Sequence, residues 1–181
     1  MAQQYTYPLE YYIYCFQNMN CARMKGQVAP HKSMMLLAVM RGIELRELTN
    51  GFVPVNERMK ALFENCWKKY VGDSPVFNPV FSTPFFHLDY EPFWTLLKRP
   101  EWEEKREYSS FQTLRKNYFG AMMPGDLWEY MMNDSSRKLL RRALLEKYIP
   151  EWTPEEKGAN PGIVAESDER NDEHRYPRDA A

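Results

Sequence analysis

The chain lacks any long apolar run. No window approaches the roughly 18 apolar residues that a membrane-spanning helix needs. The first residues, MAQQYTYPLEYY, have neither the basic start nor the continuous apolar stretch of a secretory signal. Cysteine is scarce: Cys15, Cys21 and Cys66 are odd in number, and no two are spaced as in a zinc knuckle or a redox pair. They read as small buried or half-buried thiols. Histidine occurs three times, too isolated from cysteine for a metal site. The acidic pairs Glu103-Glu104 and Glu155-Glu156 fall in charged segments rather than in a recognisable pocket, so no acid/base catalysis is expected of them. The expectation from these absences is a soluble, cytoplasmic chain with no cofactor and no metal, in which no catalytic motif is visible.

What remains is enough for one sizeable core. With 181 residues, 44% hydrophobic and 27% charged, the chain suits a single domain with an appendage. Residues 151–181 carry nine acidic and four basic side chains, a net charge of −5, which leaves about +4 on residues 1–150. The expected division is therefore a mildly basic domain, 1–150, and an acidic, disordered tail, 151–181, rich in proline, glycine and charge. A basic domain permits an anionic partner without requiring one.

Helical spacing predicts a first helix over residues 7–23 ending near Gly26, a strongly apolar helix from Ser33 to about Leu48, and an amphipathic helix capped by Asn56. In the third of these, Met59, Leu62, Phe63, Cys66 and Trp67 recur on one face. From Pro75 to Pro92 prolines interrupt an aromatic-rich stretch, in which PFFHL and PFWTLL read as two strands of a tight hairpin over residues 85–97. His87 then reads as a satisfied sheet histidine. SSFQTLRKNYF suggests a short helix, and 126–132 and 135–148 two closing helices. In the last of these, Leu139, Leu140, Ala143, Leu144 and Leu145 form the core face, while Arg137, Lys138, Arg141, Arg142 and Lys147 form a solvated one. The fold class is α+β, mostly α: a single helical domain with a small antiparallel β-hairpin or sheet.

One stretch, VAPHKSMMLLAVM, places Pro30, His31 and Lys32 directly before the most apolar helix. A helix N-terminus offers free backbone N–H groups and the positive end of the dipole, so two cationic candidates there would strengthen an anion-binding corner.

Four stretches in order, RMKGQVAPHKSMMLLAVM, NPVFSTPFFHLDYEPFWTL, FQTLRKNYF and DLWEYMMNDSSRKLLRRALLEKYIP, resemble the sulfur-binding domain of phosphorothioate-dependent, HNH-type restriction endonucleases. The resemblance covers about residues 10–150. It implies a helical domain with a small sheet that binds double-stranded DNA in which sulfur replaces a non-bridging phosphate oxygen, as the reader module of a restriction or defence system. It further implies a site built from Pro30, His31 and Lys32, from Phe77, Asn78 and Pro79 with Ser82, and from Arg115 with Lys116 beside it. Ser33, Met34 and Met35 stand where the family usually has a second proline and leucines, and VFNPV where an aromatic commonly neighbours the loop proline. The nuclease partner of many relatives needs a cluster of histidines. After residue 150 there is only His174, so cleavage would fall to a separate nuclease subunit.

Sulfur is larger, more polarizable and a weaker acceptor than oxygen. Pressed against a proline ring and an aromatic edge without a donor, an oxygen loses about 1–3 kcal/mol of acceptor capacity, whereas sulfur loses less and gains dispersion contacts. A difference of about 1.4 kcal/mol is tenfold in affinity. Lys32 and Arg115 are expected to neutralise flanking phosphates, His31 and Asn78 to touch phosphate or base edges, and Pro79 to set the preference for sulfur. Two other readings stay open: a protein-interaction or regulatory domain that has lost sulfur recognition, and a fragment of an HNH nuclease.

Overall fold

The computed structural model describes residues 6–102 and 108–154. Helix α1 (Leu9–Gln17) leads into a two-stranded hairpin, β1 (Arg23–Met24) and β2 (Gln27–Val28), and then into α2 (His31–Glu44). Strand β3 (Phe52–Pro54), α3 (Glu57–Tyr70), α4 (Ser82–His87), a short 3-10 turn (Leu88–Tyr90) and β4 (Thr95–Lys98) follow. Helix α5 (Phe111–Asn117), β5 (Tyr118–Met122), α6 (Gly125–Met132) and α7 (Asp134–Tyr148) complete the described chain. The molecule is mostly helical with a small antiparallel part, as its composition and spacing imply. None of the described helices is long and apolar enough to cross a membrane.

Helix α2 is the axis of the core. Every residue from Lys32 to Ile43 is buried, the signature of a helix enclosed on all sides rather than on one stripe. It packs against α3, α4, α6 and α7. The Asn56 side chain accepts from the Met59 N–H at 2.8 Å and caps α3, and the five apolar residues predicted for its inner face are all buried.

The first helix is shorter than its spacing suggested. It stops at Gln17, and Gly26 belongs to the next hairpin, where Arg23 pairs with Val28 and Met24 with Gln27. Lys25 (φ 50°) and Gly26 (φ 77°) form the two-residue turn, whose left-handed backbone the tight antiparallel return requires. The hairpin expected over residues 85–97 does not form. PFFHL is helical, with Phe81 and Phe85 one turn apart and their rings 5.3 Å apart, and Pro84 sits in the first turn, where its missing N–H costs nothing. The Trp94 indole donates to the Phe85 carbonyl at 3.0 Å, so the two aromatic stretches meet as helix and strand. Phe85, Phe86, Phe93 and Trp94 are nonetheless all buried.

The partner of β4 is β5: the sheet order is β3-β5-β4, with Val53 and Leu96 both opposite Ala121. Gly120 is required here, because a Cβ would lie 2.2 Å from the Val53 carbonyl oxygen.

On α7 the buried face runs Ser136, Arg137, Leu140, Ala143, Leu144, Leu145 and Tyr148. Leu139 lies off that stripe and is half exposed. Arg137, expected in solvent, is buried because the end of α6 needs donors: its Nη1 reaches the Met131 carbonyl at 3.0 Å and the Met132 carbonyl at 3.3 Å. The expected tail lies almost wholly outside the described residues, which end at 154.

Candidate nucleic-acid interface

The N-terminal end of α2 opens onto a cleft of about 520 Å³. Its wall comprises Asn20, Cys21 and Ala22 from the segment before β1, Ala29, His31 and Lys32 at the start of α2, Thr83, Pro84 and His87 from α4, and Tyr90 from the 3-10 turn. Two stretches distant in sequence, 20–32 and 83–90, therefore meet at the predicted Pro-His-Lys corner.

A single ion pair holds them there. Lys32 Nζ donates to Glu91 Oε1 at 2.8 Å and to the Asn20 carbonyl at 2.7 Å, and the Asn20 N–H donates to the same Glu91 oxygen at 2.8 Å. The two side chains are only 9% and 8% exposed. Lys32 was expected to neutralise a phosphate from the surface. It is instead committed inside the molecule, because a buried ammonium needs a carboxylate at contact distance to offset its lost hydration.

His31 is held within the chain as well. Its Nε2 lies 2.7 Å from the Asn78 carbonyl, which can only accept, so this nitrogen carries the proton and donates. The ring sits 4.7 Å from Trp67 and edge-on to Phe77 at 5.8 Å. Burial lowers its pKa below the ordinary 6.5, and the bond to Asn78 only partly offsets this. Burial also lowers His87, with the charge of Lys32 adding to the effect. Burial pushes the Cys21 thiol up. The cleft is thus walled by two imidazoles, a thiol, a proline ring, a phenol and two methyl groups, with Asn20, Thr83 and the ion-paired Lys32 as its other polar members, and no carboxylate lines it.

The other predicted residues divide. Pro30 and Phe77, both buried, lie in the wall of a second hollow of about 570 Å³, together with the hairpin turn and the end of α7. Asp73 and Glu151 line that hollow against one cation, Lys147, which makes it the poorer seat for an anion. Asn78 and Pro79 are exposed on the loop that His31 fastens, and Ser82 is buried at the start of α4. Arg115 and Lys116 are exposed on α5; they line neither hollow, although α5 packs on α4.

Sequence reasoning missed Pro84 and Tyr90 as cleft residues because it set them on a hairpin, and Thr83 because it lay just before it. The signal was present: His87 and Tyr90 are three apart, and a helical reading would have placed them on one face, where their rings are 5.8 Å apart. It also passed over Arg23 and Lys25, which are exposed on the hairpin that follows the cleft residue Ala22. Among the described residues no group of three His, Cys, Asp or Glu side chains could hold a metal ion. No protein-family model matches the chain, and no curated protein is significantly similar to it.

Proposed function

We propose that this protein is a non-catalytic reader of double-stranded DNA carrying a phosphorothioate linkage, with the cleft at the start of α2 as the seat of the sulfur. The observation that carries the reading is the wall itself: an open, carboxylate-free cleft with predominantly apolar surfaces, at the N-terminal end of a helix. The first-turn N–H groups of α2 and the helix dipole favour negative charge. Pro84 and the ring faces of Tyr90, His31 and His87 supply polarizable contact, and the Lys32 ammonium and the His31 Nε2–H are already engaged within the chain. A hydrated phosphate oxygen gives up hydrogen bonds on such a surface, whereas sulfur gives up less.

With Lys32 committed to Glu91, contact with the flanking phosphates passes to surface cations, of which Arg23 and Lys25 are nearest in sequence to the cleft. In this reading the protein works in the cytoplasm as the recognition part of a restriction or defence system, and a separate nuclease subunit does the cutting.

The test is a fluorescence-anisotropy titration at about 0.15 M salt, where exposed charges are partly screened, with three matched duplexes: one sulfur diastereomer, the other, and the unmodified linkage. A preference of tenfold or more for one diastereomer, reduced by Tyr90→Ala, supports the reading. Equal affinity for all three would make the protein a general DNA binder. Absence of binding would leave a protein-interaction domain.

A further inference from the structure

The cations that sequence resemblance assigned to DNA and that the fold places away from the cleft have a neighbourhood of their own. Strand β4 ends at Lys98 opposite Tyr118, and the Arg99 N–H donates to the Asn117 carbonyl at 2.7 Å, so residues 98–99 lie against the end of α5. Arg99 Nε donates to the Arg115 carbonyl at 2.9 Å, and the Arg99 guanidinium carbon lies 4.2 Å from the centre of the Phe119 ring. Lys98 Nζ lies 4.1 Å above the Trp102 ring. With Lys116 next to Arg115, the backbones of four cationic residues come together at one end of the sheet, and two of the side chains, those of Lys98 and Arg99, are seated on aromatic faces.

Three of these charges are also unspent. Some cations elsewhere are paired, Arg58 with Glu47, Arg141 with Glu44 and Arg142 with Glu146, whereas Lys98, Arg99 and Arg115, like Arg23 and Lys25 on the hairpin, have no carboxylate at ion-pair distance among the described residues. A ring face orients a cation without cancelling its charge. The Arg99 guanidinium is fixed by one backbone bond through Nε, which leaves its two terminal nitrogens to donate in a fork that matches phosphate geometry.

We infer that Lys98, Arg99 and Arg115 form a cationic ledge that grips the sugar-phosphate backbone of DNA, distinct from the cleft and indifferent to the sulfur. The inference rests on the reading of the partner as DNA, but not on the sulfur preference. Because α5 packs on α4, whose other residues line the cleft, one helix carries the connection between the two surfaces. The ledge contributes affinity and salt dependence, and the cleft contributes discrimination.

The experiment measures the salt dependence of binding to unmodified and to sulfur-modified duplex for the intact protein and for Lys98→Gln/Arg99→Gln, Arg115→Gln and Arg99→Lys. Each phosphate that a variant leaves without its cation lowers the slope of log affinity against log salt by roughly 0.9. The expected result is a lower slope for both Gln variants on both duplexes, a near-normal slope for Arg99→Lys, and an unchanged ratio between the two duplexes. Thermal melting of each variant checks that the fold is kept. Unchanged slopes with an intact sulfur preference would overturn the ledge and leave the cleft standing. Lowered slopes in a protein without sulfur preference would support the ledge and overturn the sulfur reading. Absence of binding to either duplex by the unaltered protein would overturn both.

Discussion

Lys32 and Arg115 carry the same charge and were expected to neutralise phosphates on either side of the sulfur, yet they occupy opposite kinds of site. Lys32 is enclosed with Glu91 and the Asn20 backbone, and its charge is consumed in fastening two stretches together. Arg115 stands in solvent on α5 beside Arg99, with its backbone carbonyl rather than its guanidinium engaged in the fold. The difference lies in desolvation. A buried cation must be satisfied within the chain, so it stabilises the fold or fails to form; an exposed one keeps its hydration and its field, and both are available to a partner.

The strongest way to break that contrast is to remove the buried member. Lys32→Met strands Glu91 and should destabilise the protein by about 3–5 kcal/mol, read as a fall in the denaturant midpoint. Adding Glu91→Leu should recover much of the loss, since the uncompensated charge rather than the missing bond is the main cost. If Lys32→Met melted like the unaltered protein, the pair would not be a fastening.

Along α7 the contrast recurs within two neighbours. Leu140→Ala should cost about 2–5 kcal/mol because it leaves a cavity in the core, while Leu139→Ala should stay within about 0.5 kcal/mol. Equal costs in equilibrium unfolding would place Leu139 back on the core face.

A pH titration of stability sharpens the comparison at the cleft. His31 and His87 are held below their ordinary pKa of 6.5 by burial, so over the interval just below 6.5 the unfolded chain binds more protons than the folded one. Stability is therefore full above about pH 6.5 and declines as pH falls towards the lowered folded values. His31→Phe should flatten part of this decline; an unaltered decline would assign it to other groups.

The smallest effect on stability belongs to the exposed member. Arg115→Ala should change it by less than about 0.5 kcal/mol, and its consequence should show in the salt dependence of DNA binding. A large loss of stability would put Arg115 among the fold's fastenings with Lys32. Pro79→Ala tests the exposed loop in the same way. A fall in sulfur preference would return the discriminating contact to that loop, and an unchanged preference would leave it with Pro84 and Tyr90.

Much of the fold was legible because it is written in local patterns. The apolar run after Ser33, the Asn56 cap and the spacing from Met59 to Trp67 each determine a helix through near-neighbour geometry. The Pro-His-Lys corner was legible as a helix start for the same reason. The segment from Phe81 to Trp94 was not, because its prolines and aromatics suit a strand and a short helix equally, and the choice turned on whether Trp94 bonds to the Phe85 carbonyl. The partner of β4 was hidden for a related reason: β5 lies some twenty residues on, and pairing at that separation leaves no mark on the local pattern.

The sequence by itself determined a mostly helical core with a positively poised helix start, because hydrophobic period and capping act over a few residues. Only the tertiary structure decided which charges face outward. Lys32 found Glu91, fifty-nine residues away, and lost its surface role. Arg99 found Arg115 and Phe119 and kept its own. Charge is a property of the residue, whereas the availability of that charge depends on what the folded chain places within a few ångströms of it.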